Sequence, residues 1–323
     1  MHDPRDSQTT NEAGVPIRPL GKTGLMVSVL GFGGGHFCRK HISENESIRL
    51  VQEAVDRGVT FMDNAWEYHK GESERRMGLA LEGGRRDKVV LMTKVCGRDA
   101  ITSAQHLHDS LTRLKTDVID VWQFHEMNYD NDPEWICSAG GALEAALKAR
   151  DAGKIRFIGF TGHKSPHIFK KMLEQDFEWD TVQMPVTVLD AHYRSFTREI
   201  LPELNRSDIG CIGMKSLGGD GQMVHGAGLT PQQSRGYAMS LPISTLVCGI
   251  ESMENLEQDL DIALNHSRLS EEEQASLVSL VGSQAGDGRH EWYKSMQYYD
   301  SQMHREQHGF PPIAHVSDPK PSQ

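Results

Sequence analysis

The stretch Ser47–His69, SIRLVQEAVDRGVTFMDNAWEYH, holds one repeating unit of the chain at its joint. Ile48, Val51, Ala54 and Val55 recur at helical spacing, and Gly58 suits the C-terminal cap of that helix. A short β-rich run, Thr60–Asp63, follows at once and ends on a carboxylate. Polar and aromatic residues then mark a loop. A helix feeding a short apolar strand, with ionisable groups just past the strand, is the unit from which parallel βα folds are built.

Outward from this joint the unit repeats about every thirty residues. Strands are predicted at Val29–Gly33, Thr60–Asp63, Val89–Lys94, Val118–Phe124, Arg156–Thr161, Thr181–Met184, Gly210–Lys215 and Ser244–Cys248. Most are short and apolar, as strands covered on both faces should be. AQHLHDSLTRL, GGALEAALKARDAG and SMENLEQDLDIAL read as intervening helices, the last with Ser252 placed to cap its first turn. Eight βα units with right-handed crossovers predict an α/β (β/α)8 TIM barrel. An open doubly wound sheet is the alternative, but no G-x-G-x-x-G follows an early strand. IRPLGKTGLMVS reads as an N-terminal β-hairpin with Gly24 in the turn, covering the bottom of the barrel. LSEEEQASLVSLVGSQ reads as an extra C-terminal helix whose SEEEQ start is a capped first turn. The expected organisation is a disordered segment over 1–16, the barrel over 17–300 and a C-terminal tail over 301–323.

Composition narrows the function. Of 323 residues, 37% are hydrophobic and 24% charged, enough to build an ordinary globular core. A net charge of −11 leaves no basic excess to displace counterions from phosphates, so nucleic acid is not an expected partner. No apolar run reaches the roughly eighteen residues of a membrane span, and the polar opening MHDPRDSQTTNEAG has no leader pattern; a cytoplasmic address is expected. The five cysteines are scattered without C-x-x-C, so neither disulfides nor a structural metal are expected. HREQH at 304–308 puts two histidines one helical turn apart but lacks the glutamate position of a metalloprotease site.

In a barrel of this kind the active site lies at the C-terminal ends of the strands. There the second strand ends at Asp63 with Tyr68 in its loop, the third at Lys94, and the fourth runs into His125. Hydride addition to a carbonyl leaves an alkoxide that needs a proton, and a phenol of pKa about 10 is a slow acid at neutral pH. A lysine ammonium about 4 Å away would stabilise the phenolate by roughly 4 kcal/mol at an effective dielectric near 20. Tyr68 beside Lys94 is therefore expected to titrate nearer neutrality, with Asp63 holding the lysine and His125 steering the carbonyl oxygen.

PLGKTGLMVSVLGFGG, GVTFMDNAWEYHKGESERRMGLAL, VVLMTK, DVIDVWQFH and GKIRFIGFTGH resemble, in order, the successive motifs of the aldo-keto reductase superfamily. The resemblance runs from about Ile17 to Asn265. It implies a catalytic tetrad of Asp63, Tyr68, Lys94 and His125 with Tyr68 as general acid, a small-molecule carbonyl substrate, and NADPH or NADH as cofactor. It also implies nicotinamide contacts at Thr161 and Gln183, although Gly162 and His163 stand where the family often continues with Asn. MKSLGGDG resembles the loop along the cofactor, which assigns Met214 to the place of a stacking aromatic and Lys215, Ser216, Leu217 and Gly218 to the pyrophosphate. CGIESMENLEQD resembles the adenosine-end motif, with Gly249, Glu251, Ser252, Asn255 and Asp259 as contacts. Glu251 stands where the family often has Arg, and neither Asn255 nor Asp259 adds positive charge. That tilts the expectation toward NADH. A substrate pocket is expected from His36, Trp66 and His163, with Trp292 or Tyr293 from the C-terminal region.

Two rivals belong to other classes: a nicotinamide-binding barrel that serves as a redox-sensing regulatory subunit, and an unrelated barrel lyase or hydrolase. An intact tetrad favours the enzyme over the regulator. The lyase or hydrolase would need a phosphate loop or metal ligands that the sequence does not show.

Overall fold

The computed structural model describes residues 9–219, 221–294 and 307. Two short strands, β1 (Ile17–Pro19) and β2 (Met26–Ser28), pair antiparallel, and Gly24 takes the left-handed conformation between them at φ 75°. Eight parallel strands follow: β3 (Leu30–Gly33), β4 (Phe61–Asp63), β5 (Val90–Val95), β6 (Ile119–Phe124), β7 (Ile155–Thr161), β8 (Thr181–Pro185), β9 (Gly210–Met214) and β10 (Thr245–Gly249). Each pairs with the next, and β10 pairs with β3, so the sheet closes into a barrel. All eight lie within a residue or two of the stretches read from the sequence, because short apolar runs between helical segments have few other ways to bury both faces.

The helices are α1 (Glu44–Asp56), α2 (Glu72–Ala80), α3 (Ala100–Leu114), α4 (Asp132–Cys137), α5 (Ala142–Asp151), α6 (Pro166–Leu173), α7 (Phe196–Glu199), α8 (Leu201–Arg206), α9 (Gln222–His225), α10 (Pro231–Ser240), α11 (Met253–Leu264) and α12 (Glu271–Ala285). In α1 the Ser43 hydroxyl accepts from the Glu46 N–H at 3.3 Å, Leu50, Val51, Ala54 and Val55 are buried, and Gly58 turns the chain at φ 92° into β4. Ser252 caps α11 as expected, accepting from the Asn255 N–H at 3.2 Å. Ser270 and Glu273 cap each other's backbone at the start of α12. The short α4 and α9 were not legible because six- and four-residue helices are too brief to show a period.

Between barrel and helices lies the main core, which includes Trp122, Phe160, Phe169 and Trp179. Inside the barrel a second cluster stacks Phe61, Val90, Met92, Val121, Ile212 and Val247 on Leu20 and Val27 of the hairpin region, which plugs the bottom. The sequence reading extends disorder through residue 16, but Thr9–Pro16 is folded onto the barrel. Thr10 bridges to Pro16, Val15 is fully buried and the Asn11 amide donates to the Gly58 carbonyl at 2.7 Å. The tail over 301–323 and the HREQH stretch, apart from Gln307, lie outside the described residues, as do 1–8. Among the described residues no helix is long and apolar enough to cross a membrane.

Candidate active site

At the end of the barrel opposite the hairpin the filling turns polar. The β4–β5 register sets Asp63 beside Met92, two residues before Lys94, so both side chains reach the same layer. Lys94, buried to 1% exposure, bonds Asp63, donates to the Asn64 carbonyl at 2.7 Å and reaches the Tyr68 hydroxyl at 3.5 Å. The other Asp63 oxygen accepts from the Gln183 amide at 3.1 Å, and the Gln183 carbonyl accepts from the Thr161 hydroxyl at 3.2 Å. Thr161 and Gln183 are neighbours in the β7–β8 register. Five residues read separately from the sequence thus form one hydrogen-bonded floor across four strands.

His125 follows β6 and stands edge-on to Tyr68, ring centres 5.7 Å apart. Its Nδ1 lies 2.6 Å from the Glu67 carboxylate, whose second oxygen accepts from the Cys96 thiol at 3.0 Å. Burial works against ionising Glu67, but the His125 charge and the bonds from His125 and Cys96 outweigh it and hold the carboxyl at about 2. Burial keeps His125 below its usual value, with Glu67 opposing. The sequence reading passed over Glu67, though the signal was present: a carboxylate directly before the tyrosine in a strand-end loop.

A cleft of about 450 Å³ opens beside Tyr68 and Asp63 and runs toward α11. Met214, Lys215, Ser216, Leu217, Gly249, Glu251, Asn255 and Asp259 line it, with His36, Arg39 and Arg235. Gly218 and Ser252 belong to the same loops but are not on its wall. Lys215 leaves β9 with φ 61°, turning the chain into this loop. Glu251 is paired: its carboxylate lies 2.9 Å from Arg39 and 2.9 Å from His36, with His41 at 3.8 Å. All three come from the loop after β3, in HFCRKH, of which the sequence reading used only His36, and that for the substrate pocket. The His36 ring sits so close to Gly249 that a Cβ there would come within 2.7 Å of it. Deeper in, the buried Arg235 of α10 pairs with Asp259 at 2.5 Å and donates to the Ser216 hydroxyl at 3.2 Å. Its segment, TPQQSRGYAMS, was not singled out in the sequence.

The expected substrate residues separate. His36 is on the cleft wall. Trp66 stacks on His106 of α3 at 3.6 Å and donates to Asp109, placing it against α3 rather than on that wall. His163 is buried under Tyr293, ring centres 5.8 Å apart. Tyr293 also lies beneath the Lys215 ammonium, 5.1 Å from the ring centre, and donates to Glu291 at 3.0 Å. Lys294, fully buried, ties this segment down by pairing with Asp190 at 2.7 Å and Glu291 at 2.9 Å.

The profile of the Aldo/keto reductase family matches residues 29–236. An uncharacterized oxidoreductase, YrpG of Bacillus subtilis, is 30% identical over 62% of this chain and 66% of its own length. A probable voltage-gated potassium channel subunit beta of Arabidopsis thaliana is 34% identical over 41% of this chain and 48% of its own. The chain thus spans about half to two thirds of the length of these relatives. An aldo-keto reductase of Bacillus halodurans in its holo form superposes with a TM-score of 0.70 at 21% identity, covering 86% of this chain and 99% of that one, a likeness of fold. Since the family profile runs through more than half of the sequence, the chain belongs to the aldo/keto reductase family.

Proposed function

We propose that the protein is a nicotinamide-dependent oxidoreductase that reduces the carbonyl of a small aldehyde or ketone. The observation that carries this reading is Lys94, buried between Asp63 and the Tyr68 hydroxyl beside an elongated cleft. A buried ammonium against a phenol suits a phenol that must give up its proton.

The cleft fits a dinucleotide. Arg39, Lys215 and Arg235 put three cations on its wall. Ser216 and Leu217 would hold the pyrophosphate, Thr161 and Gln183 the carboxamide, and Glu251, Asn255 and Asp259 the adenosine end. When bound, the nicotinamide supplies the hydride. Tyr68 gives its phenolic proton to the carbonyl oxygen, Lys94 stabilises the phenolate left behind, and Asp63 orients Lys94. His125 steers the carbonyl oxygen from the other side. Glu251, held by Arg39, favours NADH, because its carboxylate accepts from ribose hydroxyls and repels a 2′-phosphate.

A regulatory, nicotinamide-binding role is the second reading, supported by the likeness to a probable channel subunit beta. A panel of aldehydes and ketones assayed with NADH and NADPH separates the two. Multiple turnovers on any carbonyl support the enzyme; tight cofactor binding without turnover on the whole panel overturns it in favour of the regulator.

A further inference from the structure

Glu67 is not one of the four groups that reduce a carbonyl, yet it is bonded to one of them. Its carboxylate has only lone pairs to offer, so the His125 Nδ1 atom 2.6 Å away must carry a hydrogen. A neutral imidazole has one N–H. With that hydrogen on Nδ1, the Nε2 atom is left as an acceptor, and among the described residues it makes no hydrogen bond. A carbonyl oxygen needs a donor. The ring offers one at Nε2 only when doubly protonated.

We propose that Glu67 is a positioning residue that fixes the Nδ1–H tautomer of His125, so that the ring donates to a carbonyl oxygen only as the imidazolium. This rests on the reductase reading above and deepens it: the site favours carbonyl reduction on the acid side of the His125 titration. On the alkaline side the bare Nε2 accepts from an alcohol hydroxyl, which suits the reverse reaction.

The groups around the ring agree. From the β4 loop come Asp63, Glu67 and Tyr68; from β5 and its loop come Lys94, Cys96 and Arg98. Lys94 disfavours the charged ring, while Asp63 and Glu67 favour it. Arg98 holds the His125 and Glu126 carbonyls at 2.7 and 3.0 Å and is paired with Asp132. Glu126, next in the chain, is pushed up to about 8 by burial and by the Glu67 charge, with Arg98 and then Lys215 from the β9 loop opposing. Burial outweighs the carboxylates at His125, so its charged form belongs to the acid range.

Cys96 makes the substitution Glu67→Gln informative. The thiol donates to the second Glu67 oxygen at 3.0 Å, so a glutamine there keeps its carbonyl toward Cys96 and turns its amide N–H toward Nδ1. That reverses the tautomer and places the hydrogen on Nε2 in the neutral ring. The test is 15N imidazole spectroscopy of His125 in wild type and Glu67→Gln, with pH profiles of kcat/KM for carbonyl reduction. The neutral wild-type ring is expected as Nδ1–H and the variant ring as Nε2–H. Wild-type reduction is expected to fall about tenfold or more as His125 loses its proton, and the variant less than about twofold over the same range. A neutral wild-type ring protonated on Nε2, or a variant profile parallel to the wild type, overturns the proposal. The spectra require no turnover, so a protein that reduces no carbonyl at all would refute the reductase reading and still decide the tautomer.

Discussion

Arg39 and Glu251 meet at 2.9 Å across the mouth of the cleft, one from the loop after the first barrel strand and the other from the loop after the last. Glu251 puts a negative charge on the cleft wall and Arg39 a positive one beside it. The pair is self-satisfied, so the guanidinium has a partner before any ligand arrives.

Releasing that guanidinium should change cofactor choice. Glu251→Gln is expected to strengthen NADPH binding about tenfold relative to NADH, because Arg39 then faces a 2′-phosphate without a competing carboxylate. Dissociation constants for both cofactors in wild type, Glu251→Gln and Arg39→Ala measure it. An unchanged ratio in both variants would remove this pair from cofactor selection.

Tyr68→Phe should lower turnover by about a hundredfold or more while both nicotinamide forms bind as before, since only the phenolic proton is lost. Single-turnover kinetics beside fluorescence titration of the cofactor separate the two effects. Near-normal turnover would exclude Tyr68 as the acid.

Lys94→Met should slow reduction and move to higher pH the second, more alkaline fall in rate, the one that follows loss of the Tyr68 proton beyond the His125 titration, because the phenol then holds its proton more tightly. A lower rate with that fall unmoved would show that Lys94 acts only by holding Asp63 in place. The comparison is made with enzyme whose circular dichroism matches wild type.

Much of this site was legible beforehand, because ionisable residues at strand ends announce themselves against apolar strands. Asp63, Tyr68, Lys94 and His125 lie on three consecutive units, and their spacing alone implied convergence. What stayed hidden depended on pairing over long sequence distances. Glu67 was visible as a residue, but its bond to His125 depends on how two loops fold across each other. Arg235 was not singled out, since helical spacing does not say which face meets a cleft. Trp66 was expected at the substrate, but its indole N–H finds Asp109 and its ring finds His106, both on α3. The disorder expected through residue 16 rested on polarity; Asn11, a polar residue, is what fastens that segment to Gly58.

His106 gives the fold a pH dependence of known sign. Burial pushes it down to about 4, so between the ordinary value of 6.5 and about 4 the unfolded chain binds a proton that the folded one refuses. Stability should be full above pH 6.5 and decline as pH falls to about 4, by on the order of 2 kcal/mol from this residue. His106→Phe keeps a ring against Trp66 and removes the titration. Denaturation midpoints at pH 7 and pH 5 should differ less in the variant, and an equal difference would clear His106 of the effect.

Lys294→Met should destabilise the protein by about 3–5 kcal/mol, since Asp190 and Glu291 would then share a buried site without their cation. Urea midpoints test this, and a loss below about 1 kcal/mol would mean that water reaches the carboxylates.

The pairing of β10 with β3 carries a consequence for how the protein is made. Leu30–Gly33 is made before the other barrel strands, and its second neighbour, Thr245–Gly249, is synthesised more than two hundred residues later. Throughout that interval one edge of the growing sheet stays open, with apolar side chains and bare backbone groups able to pair with another nascent chain. The barrel therefore has no protected intermediate length. Chains that stop short of Gly249 should aggregate rather than fold into a smaller domain, and the hairpin that plugs the barrel early cannot prevent it, because it seals the bottom and leaves the seam exposed.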